Sequence, residues 1–186
     1  MSKQNSKSAD AKPTPLGRRV SHHVVNLAAR GLINVALALP YKRRVPFMGW
    51  IVANVIGRIA PYHRRAKAHL ALIFPDMPPA ERARIATACI NNAGRSLIEN
   101  YSTKDFLAHM EGTPIEGPGF AAMEEATNAG RAIILQTGHF GNYEAVRATI
   151  LALGYKPGGI YREMTNPFFN KHYIQTLHAY GGPGFP

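Results

Sequence analysis

The sequence predicts an α/β protein: N-terminal membrane-associated helices followed by a partial, mainly parallel sheet with flanking helices. Three observations predict it. Positive charge is concentrated in the front of the chain. Two long apolar stretches near the front carry polar residues at helical spacing. From residue 113 short apolar runs alternate with helical patterns, the order that yields parallel strands joined by right-handed crossovers. The expected organisation is a disordered leader at 1–15, a basic, membrane-associated helical region at 16–75, and an incomplete α/β domain at 76–186.

The net charge of +11 is uneven. Residues 1–75 hold 13 of the 22 Lys/Arg and a single acid, Asp10, whereas residues 76–186 hold 9 basic and 10 acidic residues. A front of this kind seeks phosphate-rich or acidic partners: anionic lipid, nucleic acid or an acidic protein. Its basic residues sit among apolar helical stretches, and no zinc-finger or RNA-binding signature is present, which argues against nucleic acid. The one cysteine, Cys89, excludes an intramolecular disulfide and fits a reducing compartment.

The elements follow in order. Residues 1–15, MSKQNSKSADAKPTP, are polar and lack the apolar run of a secretory signal. In the stretch 20–39, His22, Asn26, Arg30 and Asn34 recur four apart, one slowly drifting helical row among Val, Leu, Ile and Ala. The stretch 45–62 repeats the design with Asn54 and Arg58. Spanning a bilayer would bury Arg30 near the middle of the first stretch, at roughly 2.5–3.5 kcal/mol on insertion scales. The second stretch falls short of the ~20 apolar residues a span requires. Amphipathic helices lying in the interface are the expectation, with packing on the protein's own core and a single span by the first helix as alternatives.

A basic helix then leads to a Phe-Pro break at 74–75. A long helix starts near Pro78, with Ile85, Cys89, Ala93, Leu97 and Tyr101 expected as its buried stripe and Cys89 as a core residue. Residues 113–130 read as a short strand, a turn and a helix closed by Gly130; 132–137, AIILQT, reads as a buried strand. A helix follows from about Tyr143 to Leu153, closed by Gly154, then a strand near 158–162, an Asn-Pro turn and a last helix. The final GGPGFP shows no periodicity.

Between strand and helix lies GHFGNYEA, residues 138–145. It has two readings. Asn142 is a good N-cap, Glu144 then sits where the helix dipole favours a negative charge, and Gly141 permits a positive φ. That explains everything except His139. Alternatively, His139 stands at the C-terminal end of a parallel strand, where sites of open α/β sheets gather. Five residues apart on a helix the pair would diverge by about 140°. Across a strand–turn–helix corner both can face one cleft, the carboxylate orienting an imidazole that acts as general base. No serine or cysteine is placed as a nucleophile, so the attacking hydroxyl would come from a substrate. His139 and Glu144 lack a third ligand for a metal, and GHFGN is not a dinucleotide-binding loop.

HFGNYE resembles the signature of the lipid A biosynthesis (lauroyl/myristoyl) acyltransferases, in the wider lysophospholipid acyltransferase-like group, with Tyr143 where Trp is commonest. RRAKAHLALIFPDMP at 64–78 resembles the family's basic stretch ending in Phe-Pro, with His69 in place of the usual Asn. IEGPGF with the following helix, AG and AIIL at 115–135 resembles the run into the signature, and YREMTNPFFN at 161–170 the family's Tyr-Arg block. Four blocks in the family's order cover about 16–180. The resemblance implies an HX4E-type O-acyltransferase that moves a fatty acyl chain from acyl-carrier-protein to a hydroxyl of a lipid A precursor, without cofactor or metal. His139 would be the base and Glu144 its orienting carboxylate. Arg162, from the Tyr-Arg block, would meet a substrate phosphate or help position the charged site. Asn142 would shape the turn, with a substrate contact as the lesser role. The place implied is the cytoplasmic face of the bacterial inner membrane, with the basic front holding anionic lipid and receiving the carrier protein.

Family members run longer, with further strands and a Gly-rich segment after the Tyr-Arg block. The expectation is therefore a C-terminally truncated chain that folds poorly or associates. The alternative function is a catalytically inactive, membrane-binding fragment of such an enzyme.

Overall fold

The computed structural model describes residues 15–138, 141–180 and 183–185. All of the expected leader except Pro15 lies outside these, as do His139 and Phe140.

Helices dominate. α1 spans Leu16–Leu37 and α2 Tyr41–Ile51; α2 runs on through one π-helical turn, Val52–Ile56, into the short α3, Gly57–Ile59. α4 is Tyr62–Ile73, and the break at Phe74-Pro75 falls where the sequence placed it. α5, Pro79–Asn100, carries its proline at N1, where the missing N–H costs nothing. α6 is Thr103–Met110 and α7 Gly119–Asn128, closed by Gly130 at φ +66°, whose N–H donates to Thr127 O at 2.9 Å. α8 is Tyr143–Ala152 and α9 Pro167–Ala179.

The α/β expectation is met only in small part. β1, Gly159–Ile160, pairs in parallel with β2, Gly184–Phe185, in the register Gly159↔Gly184 and Ile160↔Phe185, with α9 as the crossover. β2 arises from the GGPGFP tail, which carried no strand signal because two residues are too few for a period. The segments expected as strands near 113–116 and over 132–137 are not strands and enter no ladder with the described residues. The second is exposed rather than buried, Ile134 at 94%. An apolar run becomes a strand only when another backbone supplies its hydrogen bonds, and no described segment lies alongside this one.

The frame is α2 laid on α5. Gly94 of α5 is needed at the crossing, since a Cβ there would stand 2.6 Å from Val52 Cβ and 2.9 Å from the Met48 carbonyl. The π turn widens the helix beside this contact. His63 of α4 donates from Nε2 to Ala53 O at 2.8 Å, because a carbonyl can only accept. Around the crossing Ile33, Ala36, Val45, Met48 and Ile98 form the main core. A second cluster, Phe106, Ala148 and Tyr180, joins α6, α8 and the end of α9, and Tyr41 borders both.

One expected burial pattern is corrected. The stripe of α5 runs through Ala86, Ile90, Gly94 and Ile98, one residue beyond the expected row, and Cys89 is exposed. That offset turns the helix by about 100°. In α1, Asn26 of the polar row is 5% exposed and faces inward, whereas Val20, Val24, Leu27 and Val35 face outward. Among the described residues no helix is long and apolar enough to cross a membrane.

Gly94→Ala should therefore destabilise the protein by roughly 1–3 kcal/mol through overpacking, despite a helix-propensity gain of about 1 kcal/mol. Gly31→Ala, with open space at its Cβ, should keep that gain. Urea unfolding of both variants measures the difference; a Gly94→Ala protein as stable as wild type would refute the close crossing.

Candidate active site

The turn into α8 is built from its own sequence. Gly141 adopts φ +61°, a region that only glycine enters without strain. Asn142 is the N-cap: its Oδ1 accepts from the Glu144 backbone N–H at 3.0 Å. Glu144 thus occupies the first turn, beside the positive end of the helix dipole. On this point the capping reading of GHFGNYEA holds.

Glu144 is nonetheless no ordinary first-turn acid. Its side chain is 6% exposed. Burial pushes its carboxyl above the usual glutamate range, against the pull of Arg147 one turn along, 3.7 Å from Oε2. The Arg147 guanidinium lies 5.8 Å from the ring centroid of Tyr180, at the end of α9. Tyr143 and Tyr173 share a hydroxyl–hydroxyl contact of 3.1 Å, which fastens the start of α8 to α9. Burial, and then the Tyr143 hydroxyl, push the Tyr173 phenol well up.

Asn142 has a second partner. Its Nδ2 donates to Glu99 Oε2 on α5 at 2.6 Å. Glu99 is half-buried; burial raises its carboxyl, and the Asn142 hydrogen bond and Arg95 pull it back. The Tyr180 hydroxyl donates to the Glu99 backbone carbonyl at 3.3 Å. The sequence reading passed over Glu99 and Tyr180. A signal existed for Glu99: an acid in the last turn of a helix opposes the dipole there and calls for a compensating partner.

Of the four residues singled out from the sequence, Asn142 and Glu144 are brought together by the cap. His139 lies outside the described residues. Arg162 is exposed in the segment between β1 and α9, and it forms no ion pair among the described residues. Among them, no group of three His, Cys, Asp or Glu stands close enough to hold a metal ion.

The raised carboxyl of Glu144 has a sign that can be measured. In the unfolded chain Glu144 ionises near the ordinary value of 4.5, and in the folded chain only higher. Between those two points the folded state holds more protons, so its stability falls as pH rises. Glu144→Gln removes this loss. Its Tm minus that of wild type should climb as pH rises from about 4.5 through the raised value, then level off. A difference that is flat across this range would show that Glu144 is not desolvated.

The family model for bacterial lipid A biosynthesis acyltransferases matches residues 18–182, from the start of α1 to the end of α9 and just beyond. No curated protein and no solved structure matches the chain. With that model covering most of its length, the chain belongs to the bacterial lipid A biosynthesis acyltransferase family.

Proposed function

We propose that this protein transfers a fatty acyl group from an acyl-carrier-protein thioester to a hydroxyl of a lipid A precursor. His139 takes the proton of the acceptor hydroxyl. The oxygen attacks the thioester carbonyl, the tetrahedral adduct collapses, and the carrier thiolate leaves and takes up the proton. Glu144 orients the imidazole and stabilises its protonated form. The observation that carries this reading is the burial of Glu144 five positions after His139, in a chain that belongs to this family. A carboxylate removed from water is costly alone and gains most from a cation formed beside it. Arg162, exposed between β1 and α9, serves the acceptor's phosphate, and Asn142 shapes the turn.

The reaction is placed at the cytoplasmic face of the inner membrane. Supporting this, α1 turns Leu16, Val20, Val24, Leu27 and Val35 to the outside, with Arg18, Arg19 and Arg30 on the same helix. An apolar helix face among arginines suits the interface of an anionic bilayer.

His139→Ala should lower turnover of an acyl-carrier-protein donor and a lipid A precursor by about 10²–10⁴-fold, the usual worth of a general base. Glu144→Ala should fall in the same direction. Unchanged turnover in His139→Ala would overturn the proposal. His139-dependent turnover by the intact chain would dispose of the inactive-fragment alternative.

Sedimentation with vesicles tests the membrane face separately. Val24→Asp and Leu27→Asp should each weaken binding to anionic vesicles about tenfold, the loss of at least ~1.5 kcal/mol of apolar burial. Binding that is unaffected by either substitution would remove α1 as the anchor.

A further inference from the structure

The proposed dyad leaves one carboxylate unused, and its contacts give it a task. Glu99 lies in the last turn of α5, 43 positions before Asn142, and accepts from Asn142 Nδ2 at 2.6 Å. The same side-chain amide caps α8 by accepting from Glu144 N–H at 3.0 Å. An asparagine amide can turn over, presenting either its oxygen or its NH2 to a given neighbour. A carboxylate only accepts. Glu99 therefore draws the NH2 to itself and leaves the oxygen for the Glu144 N–H. Without it, the turned-over amide would aim a donor at a donor and the cap would fail.

A second path leads from the same residue. The Glu99 backbone carbonyl accepts from the Tyr180 hydroxyl at 3.3 Å. Tyr180 is buried against Phe106, and the Arg147 guanidinium lies over its ring. Arg147 is the ion partner of Glu144. The backbone of Glu144 is thus referred to the Glu99 side chain through Asn142, and its counter-charge to the backbone carbonyl at the same position, which the side-chain variants leave in place.

We propose that Glu99 is a positioning residue for acyl transfer: through Asn142 it fixes the polarity of the α8 cap, and so where the Glu144 carboxylate stands. The inference rests on the reading of His139 and Glu144 as the reacting pair. Glu99 acts through protein groups and not on the substrate, so its loss is read in kcat.

The test uses the full chain with Glu99→Gln, Glu99→Ala, Asn142→Ala and the double variant Glu99→Ala/Asn142→Ala. Glu99→Gln keeps the shape but offers a donor as well as an acceptor, so it no longer selects the amide's orientation. It should lower kcat roughly tenfold or more, as expected for a misplaced catalytic group, with KM within twofold of wild type and a Tm that falls by no more than in Asn142→Ala, where the same cap is lost. Glu99→Ala should cost nothing further in an Asn142→Ala background, because both act through one hydrogen bond. Amide hydrogen exchange gives a readout free of turnover: the Glu144 N–H should exchange at least tenfold faster in Glu99→Gln, while the α5 amides stay protected.

Unchanged Glu144 exchange, or losses that multiply in the double variant, would overturn the role of Glu99 and leave the dyad standing. His139→Ala, assayed in parallel, separates the two ideas. If it turns over like wild type, the dyad fails, and the positioning role fails with it.

Discussion

Arg44 enters α2 within a turn of its start and directs its guanidinium inward, to 9% exposure for the residue. There it donates from Nε to Leu39 O at 3.1 Å and from Nη2 to Leu37 O at 3.0 Å, carbonyls that the end of α1 leaves without helical partners. From Nη1 it donates to Ser102 Oγ at 2.9 Å and to Asp105 Oδ2 at 2.8 Å, at the junction of α5 and α6. Asp105 is half-exposed, so that ion pair is worth at most ~1 kcal/mol. The buried Ser102 hydroxyl matters more, since it would cost about 1–3 kcal/mol if left unpaired, and the part-buried carbonyls add to it. One side chain thus closes α1, starts α2 and fixes the last turn of α5. That turn carries Glu99, and Tyr41, one turn before Arg44, borders both core clusters. The placement of the candidate site descends from this junction.

From the junction the chain divides into a packed part and an exposed part. α2 and α5 approach through Gly94 until backbone meets side chain. α1 does the reverse. It lays Asn26, Ile33 and Ala36 against the core and leaves its valines and Leu27 outside. Exposing a large aliphatic side chain forgoes ~1.5–3 kcal/mol of burial. Five along one helix is a sum that packing elsewhere in so small a protein does not replace. On the proposed membrane reading the bilayer supplies that burial, and the arginines of α1 meet the headgroups.

Much of the local structure was legible because it is made by neighbours in sequence. Asn142 and Asn166 cap their helices as their side chains allow, Asn166 accepting from the Phe168 and Phe169 N–H groups. Gly130 and Gly154 close helices at positive φ, and Phe74-Pro75 breaks one. What depends on distant partners was not legible. The α5 stripe was misplaced by one residue because apolar residues stand on both candidate rows, Ile85 and Leu97 on one, Ile90 and Ile98 on the other. Gly94 decided between them by offering no side chain. The run 132–137 was read as buried for its composition, yet burial required a neighbour that composition cannot name. Likewise Asn142 was visible as a cap, but its bond to Glu99 closes a separation of 43 positions.

Tyr180 shows how the parts of the site divide the electrostatic work. Burial, then the Glu144 and Glu99 carboxylates, drive its phenol far up, so it is a hydrogen-bond donor at neutral pH. Its hydrogen bond to the Glu99 carbonyl and its ring beneath Arg147 are thus both in place there. The two carboxylates differ in what balances them. Glu144 has a cation one turn along its own helix, and that cation is held over the Tyr180 ring. Glu99 is balanced first by a neutral amide and then by Arg95. A neutral partner steadies geometry without supplying charge. A cation that is itself fixed elsewhere lowers the cost of a buried negative charge but does not remove it, since burial still dominates at Glu144. On the proposed reading, a proton taken up by the His139 imidazole would satisfy the unmet part of that cost, and the desolvation that weakens the folded state at Glu144 is what would make its carboxylate useful to His139.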